Sequence, residues 1–432
     1  MPRVRRLLLL ATAAMLAGAA IGVLGAAFRW CLRRAESLRI DLVAWAQHLP
    51  GPGWLIPVAA AAVGAGVAGA LVRWEPQATG SGIPHVEAVF LGETRPPRLT
   101  VLPARFFGGV FAIGSGMVLG REGPTIHMGA TLGALAARRT RLPESDARMM
   151  QAALGGAGLA VAFDAPIAGM LFTLEEVTKS VRVKTVAVAI LASVTAVVCS
   201  RAILGDALDL QVADFAAPGL AWLPVFVVFG VLTGILGAGY NVAVLFLADL
   251  SAKVPRVPTP VRAAVIGALV GAALCVAPLT VGDGDTLTQM ILGGHQFVLL
   301  AAAGLLAARF FTGPLSYSAG VPGGLFAPLL AVGALWGLVF VGCADIVTGD
   351  PAAPGIPMAL AGMAAFFAAT VRAPLTGIVI VLEMTAATSM ALPMIVATAG
   401  AVLAARAVRA EPVYAGLRQR MTVEAPGADE RR

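Results

Sequence analysis

Apolar residues run along this chain in long blocks, separated by short breaks rich in glycine, proline and arginine. Residues 7–30, 54–74, 185–204, 223–247 and 260–279 are each long and apolar enough to cross a hydrocarbon core of about 30 Å as a helix. The polar continuation of the first block, to Arg39, is expected to project from the membrane. Between these blocks lie shorter apolar pieces at 80–92, 102–119, 123–137, 149–163, 165–177, 297–311, 358–371, 374–384 and 391–408, with a further half-helix after the break at 320–328. Residues 206–222 and 282–288 read as loops, and 411–420 as a short last helix. The pattern predicts about sixteen to eighteen helical pieces, many too short to span a bilayer. Interrupted helices are tolerated at membrane depth where they line a pathway enclosed by protein.

Composition turns this pattern into a class. The chain has 432 residues, 58% hydrophobic and only 13% charged, with a mean hydropathy of +0.86. A soluble chain of this length would form two or three domains, whereas this one reads as one polytopic, all-α membrane domain over residues 1–420, followed by a polar, disordered tail at 421–432. Its 50 glycines suit close helix packing in lipid. The formal charge of +7 comes mainly from arginines in short connections, with no basic stripe interleaved with aromatics, which excludes nucleic-acid binding. The loop carrying Arg138, Arg139, Arg141 and Arg148 belongs in the cytoplasm by the positive-inside tendency. The arginines before residue 7 keep the N-terminus there too, on an uncleaved first helix. Cys31, Cys199, Cys275 and Cys343 stand singly and read as buried, inert thiols. No metal-ligand set, Ser/His pairing or paired-Asp motif is present, so the chain is not read as an enzyme, and no cofactor is called for.

An internal repeat organises the rest. Residues 114–133 align with 318–337 at an offset of 204, with Gly116, Gly120, Pro124, Gly129, Ala130 and Gly133 meeting identical residues. Residues 162–176 align with 370–384 at an offset of 208, where Ala165, Pro166, Gly169, Leu174 and Glu175 recur as Ala373, Pro374, Gly377, Leu382 and Glu383. The halves are placed at about 54–205 and 223–408. Paired Gly/Pro-broken segments in two halves point to a transport site.

Glu122 is the ionisable residue at the centre of the first break. It lies between Gly120 and Gly123, with Pro124 set for the first turn of a helix, so a carboxylate is parked on a helix N-terminus. A charge at mid-bilayer costs roughly 2.5–3.5 kcal/mol. A carboxylate there competes with any mobile anion for the same donors, or else forms a structural ion pair with Arg121. Ser81 precedes a Gly-Ile-Pro helix start and reads alone as a helix cap, though its hydroxyl and the following N–H groups suit an anion. Tyr414 alone reads as an interfacial anchor. Glu175 and Glu176, just before Lys179, Arg182 and Lys184, read alone as solvated charge.

Taken together, Gly80-Ser-Gly-Ile-Pro84, Gly120-Arg-Glu-Gly-Pro124, Gly320-Val-Pro-Gly-Gly-Leu-Phe-Ala-Pro328 and Tyr414 resemble the ClC family of chloride channels and chloride/proton antiporters, over about residues 5–420. The resemblance implies an inverted repeat of tilted, broken helices. It implies an antiporter of the prokaryotic type in a bacterial inner membrane, with cytoplasmic termini, and a homodimer with one pathway per subunit. Chloride would be bound by Ser81, Gly82, Ile83, Arg121, Gly123, Leu325, Phe326 and Tyr414. Glu122 would be the gating and outer proton glutamate, and Glu176 the inner proton glutamate, a position the channels commonly lack. Glu87 and Arg105, in the same inner region, read from the residues themselves as a structural, supporting buried pair, since an unpaired charge there would be costly. A passive chloride channel and a fluoride-selective relative are the alternatives. His127 reads as packed, His85 stands where the family often has an acid, and Asp164 where it often has Asn. No regulatory domain is expected after Tyr414.

Overall fold

The computed structural model describes residues 3–253, 256–349 and 354–423. Among them are seventeen α-helices and no strand. The first eight are α1 (Arg3–Gln47), α2 (Leu55–Trp74), α3 (Ile83–Leu91), α4 (Val101–Gly114), α5 (Glu122–Arg139), α6 (Glu144–Phe163), α7 (Pro166–Phe172) and α8 (Val183–Leu204). The next eight repeat them in order: α9 (Leu223–Ala252), α10 (Thr259–Val276), α11 (Asp285–Leu292), α12 (Leu299–Ser318), α13 (Phe326–Thr348), α14 (Gly355–Val371), α15 (Pro374–Thr385) and α16 (Ala391–Ala407). The last helix, α17 (Val413–Val423), has no counterpart. Eight helices are long and apolar enough to cross a membrane, and the chain is an integral membrane protein.

The repeat is visible in how the helices pack. A Cβ on Gly22 of α1 would lie 2.4 Å from the Ala196 carbonyl oxygen of α8, and one on Gly230 of α9 would lie 2.2 Å from that of Ala397 in α16. Both are small-xxx-small faces (Gly18/Gly22 and Gly230/Gly234) that let two backbones touch. The eight-helix unit therefore starts at α1, earlier than residue 54. Reciprocal contacts join the halves. The Glu175 carboxylate accepts the N–H groups of Leu375 (3.1 Å) and Thr376 (2.8 Å) at the start of α15, while Glu383 accepts those of Ile167 (3.0 Å) and Ala168 (2.8 Å) at the start of α7. Each half caps the other half's helix with the same residue, as a two-fold axis between inverted halves produces. Glu175→Ala or Glu383→Ala should each cost about 1–2 kcal/mol, the loss of charge-assisted caps on partly exposed groups. Thermal unfolding in detergent should show two drops of similar size, and an unchanged midpoint would refute the capping role.

The first block and its polar continuation form one helix, α1, of 45 residues, about 68 Å long at 1.5 Å per residue and more than twice a hydrocarbon core of about 30 Å. Two sequence expectations change. Residues 282–288 are not all loop, because α11 starts at Asp285 behind two glycines of positive φ, Gly282 (74°) and Gly284 (102°). The cysteines are not in the core, since Cys343 is exposed and the other three half-buried. Apart from the end of α17, the tail expected at 421–432 lies outside the described residues.

Candidate functional site

The site is made by chain breaks. Gly120 and Gly324, equivalent in the two halves, pair antiparallel, each N–H donating to the other's carbonyl at 2.8 Å. Immediately afterwards α5 starts at Glu122 and α13 at Phe326, so two helix N-termini meet at the centre of the protein. The fully buried Glu122 side chain folds back across both glycines, and its Oε1 accepts the Phe326 N–H at 2.6 Å. A Cβ on Gly120 would lie 2.1 Å from this carboxylate and one on Gly324 2.2 Å from it. Glycine is required there because the carboxylate fills the space where a side chain would start. Its other oxygen, Oε2, has no hydrogen-bond partner within the protein.

Below this carboxylate the third break contributes. Gly82 (φ 80°) turns the chain into α3, and the Ser81 hydroxyl oxygen accepts the Ile83 N–H at 3.3 Å, leaving its own hydrogen free to donate. The backbones of Ser81, Gly123 and Gly324 converge so tightly that a Cβ on Gly123 would sit 2.8 Å from the Ser81 carbonyl oxygen. Tyr414, on α17, packs its ring 5.6 Å from that of Phe326, and its wholly buried hydroxyl has no protein partner. Phe326 itself is clasped by Phe163, Phe172 and Phe367. The resulting pocket is apolar in its walls and lined by neutral donors, which suits a small, weakly hydrated anion. Serine, tyrosine, the glycines, Ile83, Leu325 and Phe326 are thus brought together as expected.

Arg121 is the exception. Its guanidinium points away from Glu122 and is committed to Asp285 (2.6 Å), Asp209 (3.1 Å) and the Ala162 carbonyl (2.7 Å). Its Nε, Nη1 and Nη2 are thus each engaged by a partner outside the Ser81–Tyr414 pocket, and the alternative Arg121–Glu122 pair does not form among the described residues. It lines a cavity of about 360 Å³, with Arg29, Arg39, Asp209 and Asp283, on one side of the site. A second cavity of about 530 Å³ lies on the other side and reaches Ser81 and His85, flanked by Arg262 and Arg420.

The expected Glu87–Arg105 pair is also corrected. Arg105 turns to the opposite side of α3 and donates to the carbonyls of Gly80, Thr79 (2.9 Å) and Gln77 (3.2 Å) and to Nδ1 of His127 (2.9 Å). Glu87 instead faces Glu176, with Arg418 of α17 at 3.5 Å. Arg418 is held in turn by Glu93, both carboxylate oxygens accepting from Nη1 at 2.6 and 2.8 Å. Glu176 itself is buried, in a widened turn where the Thr178 N–H reaches back five residues to the Thr173 carbonyl. It is therefore not solvated charge. Tyr414 and Arg418 are one helical turn apart, so α17 touches the anion pocket and the acid pair with one face.

Sequence reasoning passed over Tyr317 and assigned no partner to His127, His85 or Asp164. Tyr317 brings its hydroxyl to 3.4 Å from the Ser81 N–H. His127 and His85 are not merely packed: because Arg105 can only donate, His127 must accept at Nδ1 and carry its hydrogen on Nε2, 3.0 Å from His85 Nδ1. Asp164 ends α6 in the left-handed conformation (φ 54°), which Asp and Asn tolerate best, and pairs with Arg201 at 3.0 Å.

The family profile described as "Voltage gated chloride channel" matches residues 63–406. A protein of Vibrio cholerae serotype O1 named H(+)/Cl(-) exchange transporter ClcA is 37% identical over 419 residues, covering 94% of this chain and 88% of the relative. A protein of the same name from Cronobacter sakazakii is 36% identical over 412 residues, covering 93% of this chain and 87% of the relative. Among solved structures, a slow cyanobacterial Cl-/H+ antiporter superposes with a TM-score of 0.89 at 28% identity, covering 96% of this chain and 99% of that one.

Proposed function

The chain belongs to the voltage-gated chloride channel family, and from that premise we propose that it is a chloride/proton exchanger, its exchange run by Glu122 and Glu176. The observation that carries this reading is the seat of Glu122. Its carboxylate takes the Phe326 N–H and the glycine cradle that a chloride ion would otherwise take, directly above Ser81 and Tyr414. Protonation removes the charge that holds it there, so the side chain leaves and an anion enters; departure of the anion lets the deprotonated carboxylate return. Anion and proton thereby exclude each other at one position.

Glu176 gives the proton a separate way in. It lies off the anion line, beside Glu87 and Arg418, and delivers protons toward Glu122 from the side carrying Arg138, Arg148 and Arg420. That side is cytoplasmic by the positive-inside tendency, which favours both termini in the cytoplasm, and the bacterial relatives support a bacterial inner membrane. Two copies, each with its own pathway, form the assembly. The chemistry needed is proton transfer and anion coordination, which this chain's own residues supply.

Proteoliposomes loaded with high chloride and diluted into low chloride test the reading. Chloride efflux should drive protons inward against their own gradient. Chloride efflux without proton movement would identify a passive channel, and fluoride transported in preference to chloride a fluoride-selective relative.

A further inference from the structure

We infer that Arg105 is the fixed cation of the anion pocket, a positioning residue whose counter-ion is the transported anion; this rests on the Ser81–Tyr414 reading of that pocket. Arg105 is fully buried, and among the described residues no carboxylate forms an ion pair with it. Its donors are used on three carbonyls and one imidazole, all neutral. A buried guanidinium that is hydrogen-bonded but not neutralised leaves a net charge behind the loop it grips. That loop is Gln77–Gly80, whose next peptide opens the Ser81 pocket.

The second half shows what the frame does with such a charge. Arg309, 204 residues on, is equally buried and grips the equivalent loop through the carbonyls of Leu279 (2.8 Å), Val281 (2.6 Å) and Gly282 (3.3 Å). Gly80 and Gly82, both of positive φ, recur as Gly282 and Gly284. Between them, the oxygen of Ser81 accepts the Ile83 N–H at 3.3 Å, and that of Asp283 accepts the Asp285 N–H at 3.2 Å. Asp283 thus occupies the place of Ser81, and its field reaches Arg309. One arginine has its anion built into the chain. The other, behind a neutral serine, has it supplied from solution.

His127 and His85 fit this division. At the position equivalent to His127 stands Ala331, and a Cβ on Gly82 or on Gly284 would strike His127 or Ala331 in the same way, at 2.6 and 2.5 Å. The extra imidazole takes the Arg105 Nε–H without bringing a negative charge. It therefore satisfies the guanidinium as a donor and leaves its charge for the anion.

Chloride titration calorimetry on the full chain, purified in detergent, tests this. Arg105→Gln should weaken chloride binding by about tenfold or more, and Arg105→Lys, which keeps the charge, should restore it to within about threefold of the original protein. Chloride bound by the Gln variant as by the original protein, or by the Lys variant as poorly as by the Gln, would overturn the inference. Should Arg105→Gln fail to fold, His127→Glu places a carboxylate against an intact Arg105. Weakened binding by about tenfold supports the inference, and unchanged binding overturns it. Ser81→Asp copies the Asp283 arrangement and should eliminate chloride binding at the pocket. If it does not, the pocket assignment itself fails, whatever Arg105 does.

Discussion

Glu122→Gln should leave a protein that conducts chloride and moves no protons. The amide keeps the volume of the side chain, so the cradle at Gly120 and Gly324 is undisturbed. What disappears is the charge on the oxygen that accepts the Phe326 N–H at 2.6 Å, a bond of the charge-assisted kind worth about 1.5–3 kcal/mol. A neutral amide should yield this position to chloride about tenfold or more readily. The pH dependence follows with a definite sign. In the original protein, falling pH protonates the gate and chloride flux rises; the Gln variant has nothing to protonate, so its flux should be high and flat across pH. Parallel chloride and proton recordings from proteoliposomes read both effects. Proton uptake persisting in this variant would remove Glu122 from the proton route.

Glu176→Gln should separate the two routes from the other end. Proton uptake should fall to the background of empty vesicles while chloride efflux continues, because Glu176 lies among Glu87, Glu93 and Arg418 and not in the Ser81–Tyr414 pocket. Chloride flux in this variant should keep its pH dependence, since Glu122 can still titrate from the other cavity. That distinguishes it from the Glu122 variant, in which both coupling and pH dependence are lost. Loss of chloride flux together with proton flux would mean that Glu176 holds the fold together.

The sequence was most readable where its two halves agree, and most informative about function where they differ. Gly120/Gly324 and Glu175/Glu383 match, and all four prove to be joinery: a backbone bridge and two helix caps. Glu122 opposite Phe326 and Glu176 opposite Met384 do not match, and these acids carry the proposed exchange. Alignment of the halves therefore exposed the frame and the gate together. It could not place the guanidinium groups. Arg121 adjoins Glu122 in sequence, yet its side chain leaves the break on the opposite side and reaches Asp209 and Asp285, more than eighty residues away. Pairing Arg105 with Glu87 follows from the cost of an unpaired buried charge, but the guanidinium is satisfied by carbonyls of the turn before α3 and by His127 instead. Such pairings are settled by how the broken helices cross, which no local pattern encodes. The short α11 was hidden for a different reason: Asp285, Thr286 and Gln289 give it a polar face that reads as loop, because that face lines a cavity.

The bridge between Gly120 and Gly324 bears on how fast the protein can turn over. Many two-fold transporters rock one half against the other, a collective motion on the microsecond to millisecond scale. Here the pivot of any such rocking is fastened by two reciprocal 2.8 Å backbone bonds, buried where no water could replace them. Separating the halves would cost a few kcal/mol for the two groups left unpaired at each end. Swinging a single carboxylate out of its cradle breaks one bond and moves a few atoms, a rearrangement of the rotamer class. On the proposed exchange the clock of the cycle is then the supply of protons to Glu122, and a turnover rate that rises with proton availability, with little dependence on membrane thickness or viscosity, is its kinetic signature.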